Sequence, residues 1–253
     1  MSVGTDRPTT AVASRGLRAT LQRLSGAQKG AAGAPAYSRF VNRKLGRLLA
    51  ALAFHAGLTP NMVTAISAAF TGAGIAVLAL AAPSWATGVA VTACLVVGYA
   101  FDAADGQLAR LRGGGSPAGE WLDHMVDAAK ISSLHLALLV GLYRSEAVGR
   151  GAVLLLPLAF AVVSVVLFFG TLLNDALRAQ HGVATRAVRT ATGPSVVRSL
   201  LVVPTDYGVL CLLFVLLGAP ALFVPVYGLL CVATAAYLGM AAVKWFREMG
   251  RLA

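Results

Sequence analysis

The chain has 253 residues, of which 58% are apolar and only 12% charged, about half the charged share of ordinary soluble domains. Lys and Arg outnumber Asp and Glu by 21 to 10, for a formal net charge of +11. A soluble nucleic-acid binder could carry that charge, but not with a mean hydropathy of +0.76. Soluble classes and nucleic-acid partners are therefore excluded, and the reading is an all-α integral membrane protein.

Residues 1–35 are rich in Ser, Thr, Ala, Gly and Arg and contain no apolar h-region. They are expected to be a disordered basic lead rather than a cleaved secretory signal. Over residues 36–55, Arg39, Arg43, Lys44 and Arg47 interleave with Phe40, Val41, Leu45, Leu48, Leu49 and Leu52. That spacing predicts an amphipathic helix lying in the headgroup layer, with its cations near anionic lipid. Gly57 breaks it, and Thr59-Pro60-Asn61 starts the next helix.

Residues 56–253 then form the expected transmembrane domain. Its apolar blocks predict six spans, at about 61–82, 85–111, 118–143, 151–174, 196–217 and 221–245. The connections near 83, 146 and 219 carry almost no net charge, whereas those near 112 and 185, with the two termini, hold 18 of the 21 bases. The positive-inside bias places both termini and these two loops in the cytoplasm. Cys94, Cys211 and Cys231 fall inside apolar blocks and read as small core residues. The Ala-, Gly- and Arg-rich composition points to a bacterial plasma membrane.

Five of the ten acids lie between residues 102 and 127. Asp102, Asp105 and Ala109 share one helical face, as do Gly119, Asp123 and Asp127 on the next helix. The turn Arg112-Gly113-Gly114-Gly115-Ser116-Pro117 should fold the second span back against the third, so that four carboxylates converge near the membrane boundary. Small Gly106, Ala109 and Gly119 would let backbone or ligand come close. Four such acids repel one another unless cations intervene. Oxygen ligands without Cys favour magnesium, manganese or calcium over zinc, and Arg110 beside them suits phosphate. The chemistry these residues suggest is metal-assisted phosphoryl transfer at the membrane surface.

The string Asp102-x2-Asp105-Gly106-x2-Ala109-Arg110-x8-Gly119-x3-Asp123-x3-Asp127 resembles the signature of the CDP-alcohol phosphotransferase (CDP-alcohol phosphatidyltransferase) family. The six-span layout, the interfacial helix and the Pro60-Asn61 entry resemble it too. The resemblance implies an enzyme that uses two divalent cations, magnesium or manganese, to transfer a phospho-alcohol from a CDP-linked donor to an acceptor hydroxyl, releasing CMP. Asp102, Asp105, Asp123 and Asp127 would hold the metals. Asp127, a turn deeper than Asp123, would also be the general base. Gly106, Ala109, Arg110 and Gly119 would shape the CDP site. A homodimer is implied by the resemblance alone.

Other polar residues have two readings each. Asn61 and Thr64, one turn apart, either line the nucleotide pocket or cap and cross-link helices. His124 neighbours Asp123 but points about 100° away and reads as a helix-surface or packing residue. Lys130, one turn after Asp127, reads as a charge balance. Asp175, Arg178, Arg198 and Asp206 are the candidates for binding a polar acceptor, with or without a phosphate, because acids and bases at these depths need partners or a wet cavity. The leading expectation is transfer of a phosphatidyl group from CDP-diacylglycerol to a small polar alcohol in phospholipid synthesis. The alternatives are transfer from a soluble CDP-alcohol to a lipid hydroxyl and, in another class, a divalent-cation transporter.

Overall fold

A computed structural model describes residues 16–26, 35–145, 148–149, 151–183 and 202–252, and every regular element among them is helical. Helix α1 covers Leu17–Gly26, and α2, Arg43–His55, follows a π-helical turn at Ser38–Asn42. Then come α3 (Pro60–Leu80), α4 (Trp85–Leu111), α5 (Pro117–Ser145) and α6 (Leu155–Gln180, entered through a 3-10 turn at Ala152–Leu154). Short α7 (Tyr207–Leu213) runs into a 3-10 segment at Phe214–Gly218, and α8 (Pro220–Met249) closes the bundle.

Five helices are long and apolar enough to cross a bilayer: α3, α4, α5, α6 with its leading turn, and α8. The stretch Tyr207–Gly218 is apolar but shorter. The expected span at 196–217 lies partly outside the described residues, since 184–201 are not among them. Helices α6 and α8 run past the expected ends at 174 and 245, to Gln180 and Met249. A hydropathy boundary marks where polar side chains begin, whereas the helix continues for as long as its backbone hydrogen bonds are better made internally than to water.

Local chemistry explains the starts. The Thr59 side chain accepts from the Met62 N–H, with Pro60 at the first helical position. Ser84 caps α4 in the same way through the Thr87 N–H, and Ser116 Oγ accepts from the Gly119 N–H at the start of α5. Gly113 and Gly114 have φ values of 99° and 130°, which side-chain-bearing residues rarely adopt. They make the reversal between α4 and α5 possible.

The sequence reading places α4 against α5, but the backbones of these two helices do not pack closely together. Instead α3 packs along both, α5 packs on α6, and α6 on α8. Small residues bring α3 and α4 close: Ser67 Oγ donates to the Gly98 carbonyl at 2.8 Å. A gap is left between the ends of α4 and α5. In the opposite half of the bundle, Leu95, Leu134, Leu138, Phe160, Phe214, Phe223 and Tyr227 form the buried core.

Two N-terminal expectations change. Residues 17–26 of the lead form a helix, with Leu24 only 1% exposed in a cluster with Ala50, Ala51 and Ala53. Leu17, Thr20, Leu21 and Leu24 recur at helical spacing, a short apolar stripe that tertiary contact with α2 stabilises. Residues 36–55 are helical as expected, but two faces share the work. Gly46, Ala50 and Ala53 turn inward, and a Cβ at Gly46 would meet the Ala103 side chain at 2.8 Å. Phe40, Val41, Leu45, Leu48 and Leu52 remain exposed.

Candidate functional site

Asp102 and Asp105 lie nine and six residues before the end of α4, and Asp123 and Asp127 six and ten residues into α5. At 1.5 Å per residue, Asp105 and Asp123 sit roughly 9 Å in from the helix ends, and Asp102 and Asp127 roughly 14 to 15 Å. The four acids therefore face the gap as a shallow pair and a deep pair. Each pair interacts electrostatically across it, Asp105 with Asp123 and Asp102 with Asp127. The convergence expected from the spacing is present. It is reached through side chains that bridge the gap rather than through closely packed backbones.

The deep pair is bridged. Lys130 Nζ lies 2.5 Å from Asp127 Oδ1 and 3.5 Å from Asp102 Oδ1, and its side chain is 7% exposed. The ammonium also sits 5.0 Å from the centre of the Tyr207 ring, within cation–π range. Tyr207 packs edge-on against Tyr99, which stacks on Tyr37. Aromatic rings thus back the lysine and leave it little freedom to turn away from the acids.

In the shallow pair, Asp105 is 6% exposed and accepts a 2.6 Å hydrogen bond from Thr64 Oγ1. Thr64 thereby contacts an acid of the site from α3. Asn61, one turn earlier, places its Oδ1 where a Cβ on Gly119 would come within 3.1 Å. Gly119 is therefore tight against Asn61. A Cβ on Gly106 would meet only Arg110 Nη1, at 3.4 Å, so this face of α4 stays open beside the arginine. Arg110 interacts with Asp105 and, repulsively, with Arg43 from α2. Arg43 lies outside the apolar spans, and burial lowers its pKa from the usual arginine value, though a guanidinium keeps its charge. The mouth of the gap is therefore basic and its interior acidic. Ala109 is half-buried on the same turn as Arg110.

His124 lies on the helix surface, its side chain 41% exposed, yet it also approaches the acids. One of its ring nitrogens and carboxylate oxygens of Asp123 and Asp127 all lie within 4.8 Å of one another. Its Nδ1 is buried with no hydrogen-bond partner among the described residues. The 100° offset between neighbouring positions describes Cβ directions, and the longer imidazole reaches back across it.

The acceptor candidates separate. Arg178, 5% exposed, makes a 2.5 Å ion pair with Glu248 of α8, which Lys244 approaches at 3.8 Å. Glu248 went unnoticed in the sequence because its partner is 70 positions away. Asp175 is half-buried beside Asn174, whose buried Oδ1 has no hydrogen-bond partner among the described residues. Arg198 lies outside the described residues. Asp206 is 1% exposed and already committed: its carboxylate accepts from the backbone N–H groups of Tyr37, Ser38 and Gly208. These contacts cap two helical segments and satisfy a buried acid within the protein.

The site's donors are oxygens in excess of local positive charge. Two carboxylates about 5 Å apart repel by roughly 3 kcal/mol at an effective dielectric constant near 20, and one lysine cannot offset four of them. That donor set fits hard divalent cations.

A family described as CDP-alcohol phosphatidyltransferase matches residues 57–245. No curated protein matches the chain in sequence. Among solved structures, the chain is similar to phosphatidylinositol phosphate synthase (PgsA1) of Mycobacterium tuberculosis in complex with manganese and citrate. The identity is 22%, over 78% of this chain and 87% of that one, with a TM-score of 0.45.

Proposed function

Because the chain belongs to the CDP-alcohol phosphatidyltransferase family, an enzyme class, we propose that it transfers a phosphatidyl group from CDP-diacylglycerol to a small polar alcohol and releases CMP. The observation that carries this reading is the convergence of Asp102, Asp105, Asp123 and Asp127 on the gap between the α4 and α5 backbones. In the proposed arrangement the five long helices and the shorter Tyr207–Gly218 segment make six crossings. The helix over 36–55 lies in the interface with Phe40, Leu45, Leu48 and Leu52 towards acyl chains. The basic ends and the site face the cytoplasm.

Asp102, Asp105, Asp123 and Asp127 would hold two divalent cations, magnesium or manganese. Bound there, such ions neutralise the donor's diphosphate, polarise the attacked phosphorus and stabilise the departing CMP. The remaining steps belong to the chain. Arg110, at the mouth beside Asp105, pairs with the diphosphate through its planar fork of donors. Gly106, Ala109 and Gly119 keep the walls low enough for the nucleotide, and Asn61 and Thr64 line it from α3. Asp127 accepts the proton of the acceptor hydroxyl. The freed oxygen forms a bond to the phosphatidyl phosphorus, and the bond from that phosphorus to the CMP oxygen breaks. Arg178 and Asp175, at the same end of the bundle, would orient the acceptor.

The test is CMP release by the purified chain in detergent with magnesium. CDP-diacylglycerol and soluble CDP-alcohols are supplied in turn as donors, each with a panel of acceptors. CMP release only with CDP-diacylglycerol and a polar alcohol supports the proposal. Release only from a soluble CDP-alcohol with a diacylglycerol acceptor reverses donor and acceptor. No release from any donor overturns the reading of the site.

A further inference from the structure

The proposed chemistry does not use the lysine inside the gap. Lys130 is buried, reaches both acids of the deep pair, and is backed by the Tyr207 ring. Since α4 and α5 do not pack closely here, its ammonium is a direct polar link between them. It occupies the position of a cation among the carboxylates.

We propose that Lys130 is a positioning residue that acts as a resident counter-ion and couples entry of the second divalent cation to arrival of the CDP-linked donor. This inference rests on the metal-binding reading of the four aspartates. The argument is one of charge. Inside the gap, four carboxylates against Lys130 leave three excess negative charges. One divalent cation leaves one negative charge. A second, without donor, reverses the sign in a half-buried site, where an uncompensated charge is costly. The diphosphate of a CDP-linked donor carries two negative charges: one cancels that excess, and Arg110, which pairs with the diphosphate at the mouth, offsets the other. Without Lys130 the same four carboxylates match two divalent cations and need no donor. Arg110 and Arg43 lie at the half-exposed mouth, where solvent screens them, so the buried lysine decides the interior balance.

A metal-free site gains as well. With the ammonium 2.5 Å from Asp127 Oδ1, α5 is tethered to Asp102 on α4 before any metal binds. Lys130 therefore keeps the gap assembled while it is empty.

The experiment is a Mn2+ titration of the full chain in detergent, without lipid donor, following free Mn2+ by electron paramagnetic resonance. For the unaltered protein we expect one Mn2+ bound at least tenfold more tightly than a second, with added CDP bringing the second within about threefold of the first. Lys130→Met should bind two Mn2+ of similar affinity without CDP. Lys130→Arg, which keeps the charge, should restore the CDP dependence. Two Mn2+ of equal affinity in the unaltered protein without CDP, or an unchanged CDP dependence in Lys130→Met, overturns the proposal. The comparison of the unaltered protein with and without CDP decides even if Lys130→Met does not fold. Metal-dependent CMP release with the wrong Mn2+ pattern rejects only the role of Lys130, whereas absence of CMP release from every donor rejects the reading of the site.

Discussion

The acid-lined gap between α4 and α5 and the His135 cluster in the opposite half of the bundle are both polar and both enclosed by apolar helices, but they are assembled differently. His135, 2% exposed, lies 2.6 Å from Tyr227 Oη through Nδ1 and 3.0 Å from Ser164 Oγ through Nε2, and its ring stacks on Phe160. Each polar atom meets a neutral partner, and three helices are tied together. In the gap, Asp102 and Asp127 share one lysine beside two further carboxylates, and the helices that carry the acids stand apart. A membrane interior tolerates a matched neutral network as part of its packing. It tolerates excess charge only where a ligand completes the site. The first cluster should therefore govern stability and the second turnover.

The largest effect expected is from removing metal. Chelation with EDTA should reduce CMP release to background, and excess magnesium or manganese should restore it. The cooperative thermal transition should survive chelation, because the core around Tyr227 contains no acid that needs a metal. Persistent turnover after exhaustive chelation would contradict the division between the two clusters. Next comes Asp127→Asn, which preserves shape but cannot accept the acceptor's proton. It should lower kcat by about 10³-fold, within the usual range for a general base, while donor binding changes by less than about threefold. A comparable fall in donor affinity would make Asp127 a binding residue instead.

How much of this division was legible in the sequence differs between the clusters. Hydropathy and the fixed spacing of Asp102, Asp105, Asp123 and Asp127 suffice for the five long helices and for the acids that face one another, because both are local patterns. The gap itself was not visible. It exists because α3 packs on both α4 and α5, a property of three surfaces together. Lys130 was visible as the neighbour of Asp127, but its reach to Asp102, 28 positions earlier, was not. Asp206 stands among the acceptor candidates in the sequence, whereas its backbone partners at Tyr37 and Ser38, more than 160 positions away, leave no local pattern there. His135, Ser164 and Tyr227 were equally silent, since each alone is an ordinary polar residue in an apolar run.

Two substitutions at the mouth sharpen the contrast by changing geometry without removing an acid. Arg110→Lys retains the charge but loses the planar fork, and should weaken donor binding about tenfold with little effect on melting. Gly119→Ala puts a Cβ 3.1 Å from Asn61 Oδ1 and 3.3 Å from Ser116 Oγ. Those neighbours must yield by a few tenths of an ångström, so the KM for the donor should rise about threefold while kcat holds. A loss of stability as large as the loss of binding in either variant would mean that the mouth is part of the packed structure.

The smallest effect on turnover is expected at the other cluster. Tyr227→Phe removes one hydroxyl and leaves the ring in its stack with Phe223. His135 Nδ1 then loses its 2.6 Å partner, and interhelical hydrogen bonds in membrane proteins contribute about 0.6 kcal/mol on average and up to roughly 1.7. Stability in detergent should fall by about 1 kcal/mol, while kcat per folded molecule stays within about twofold. If turnover instead fell tenfold or more at unchanged stability, the His135 network would have to be transmitting to the acids through α5, which bears His135 as well as Asp123, Asp127 and Lys130. Motion of that one helix would then couple packing to chemistry, and the two clusters would be one device.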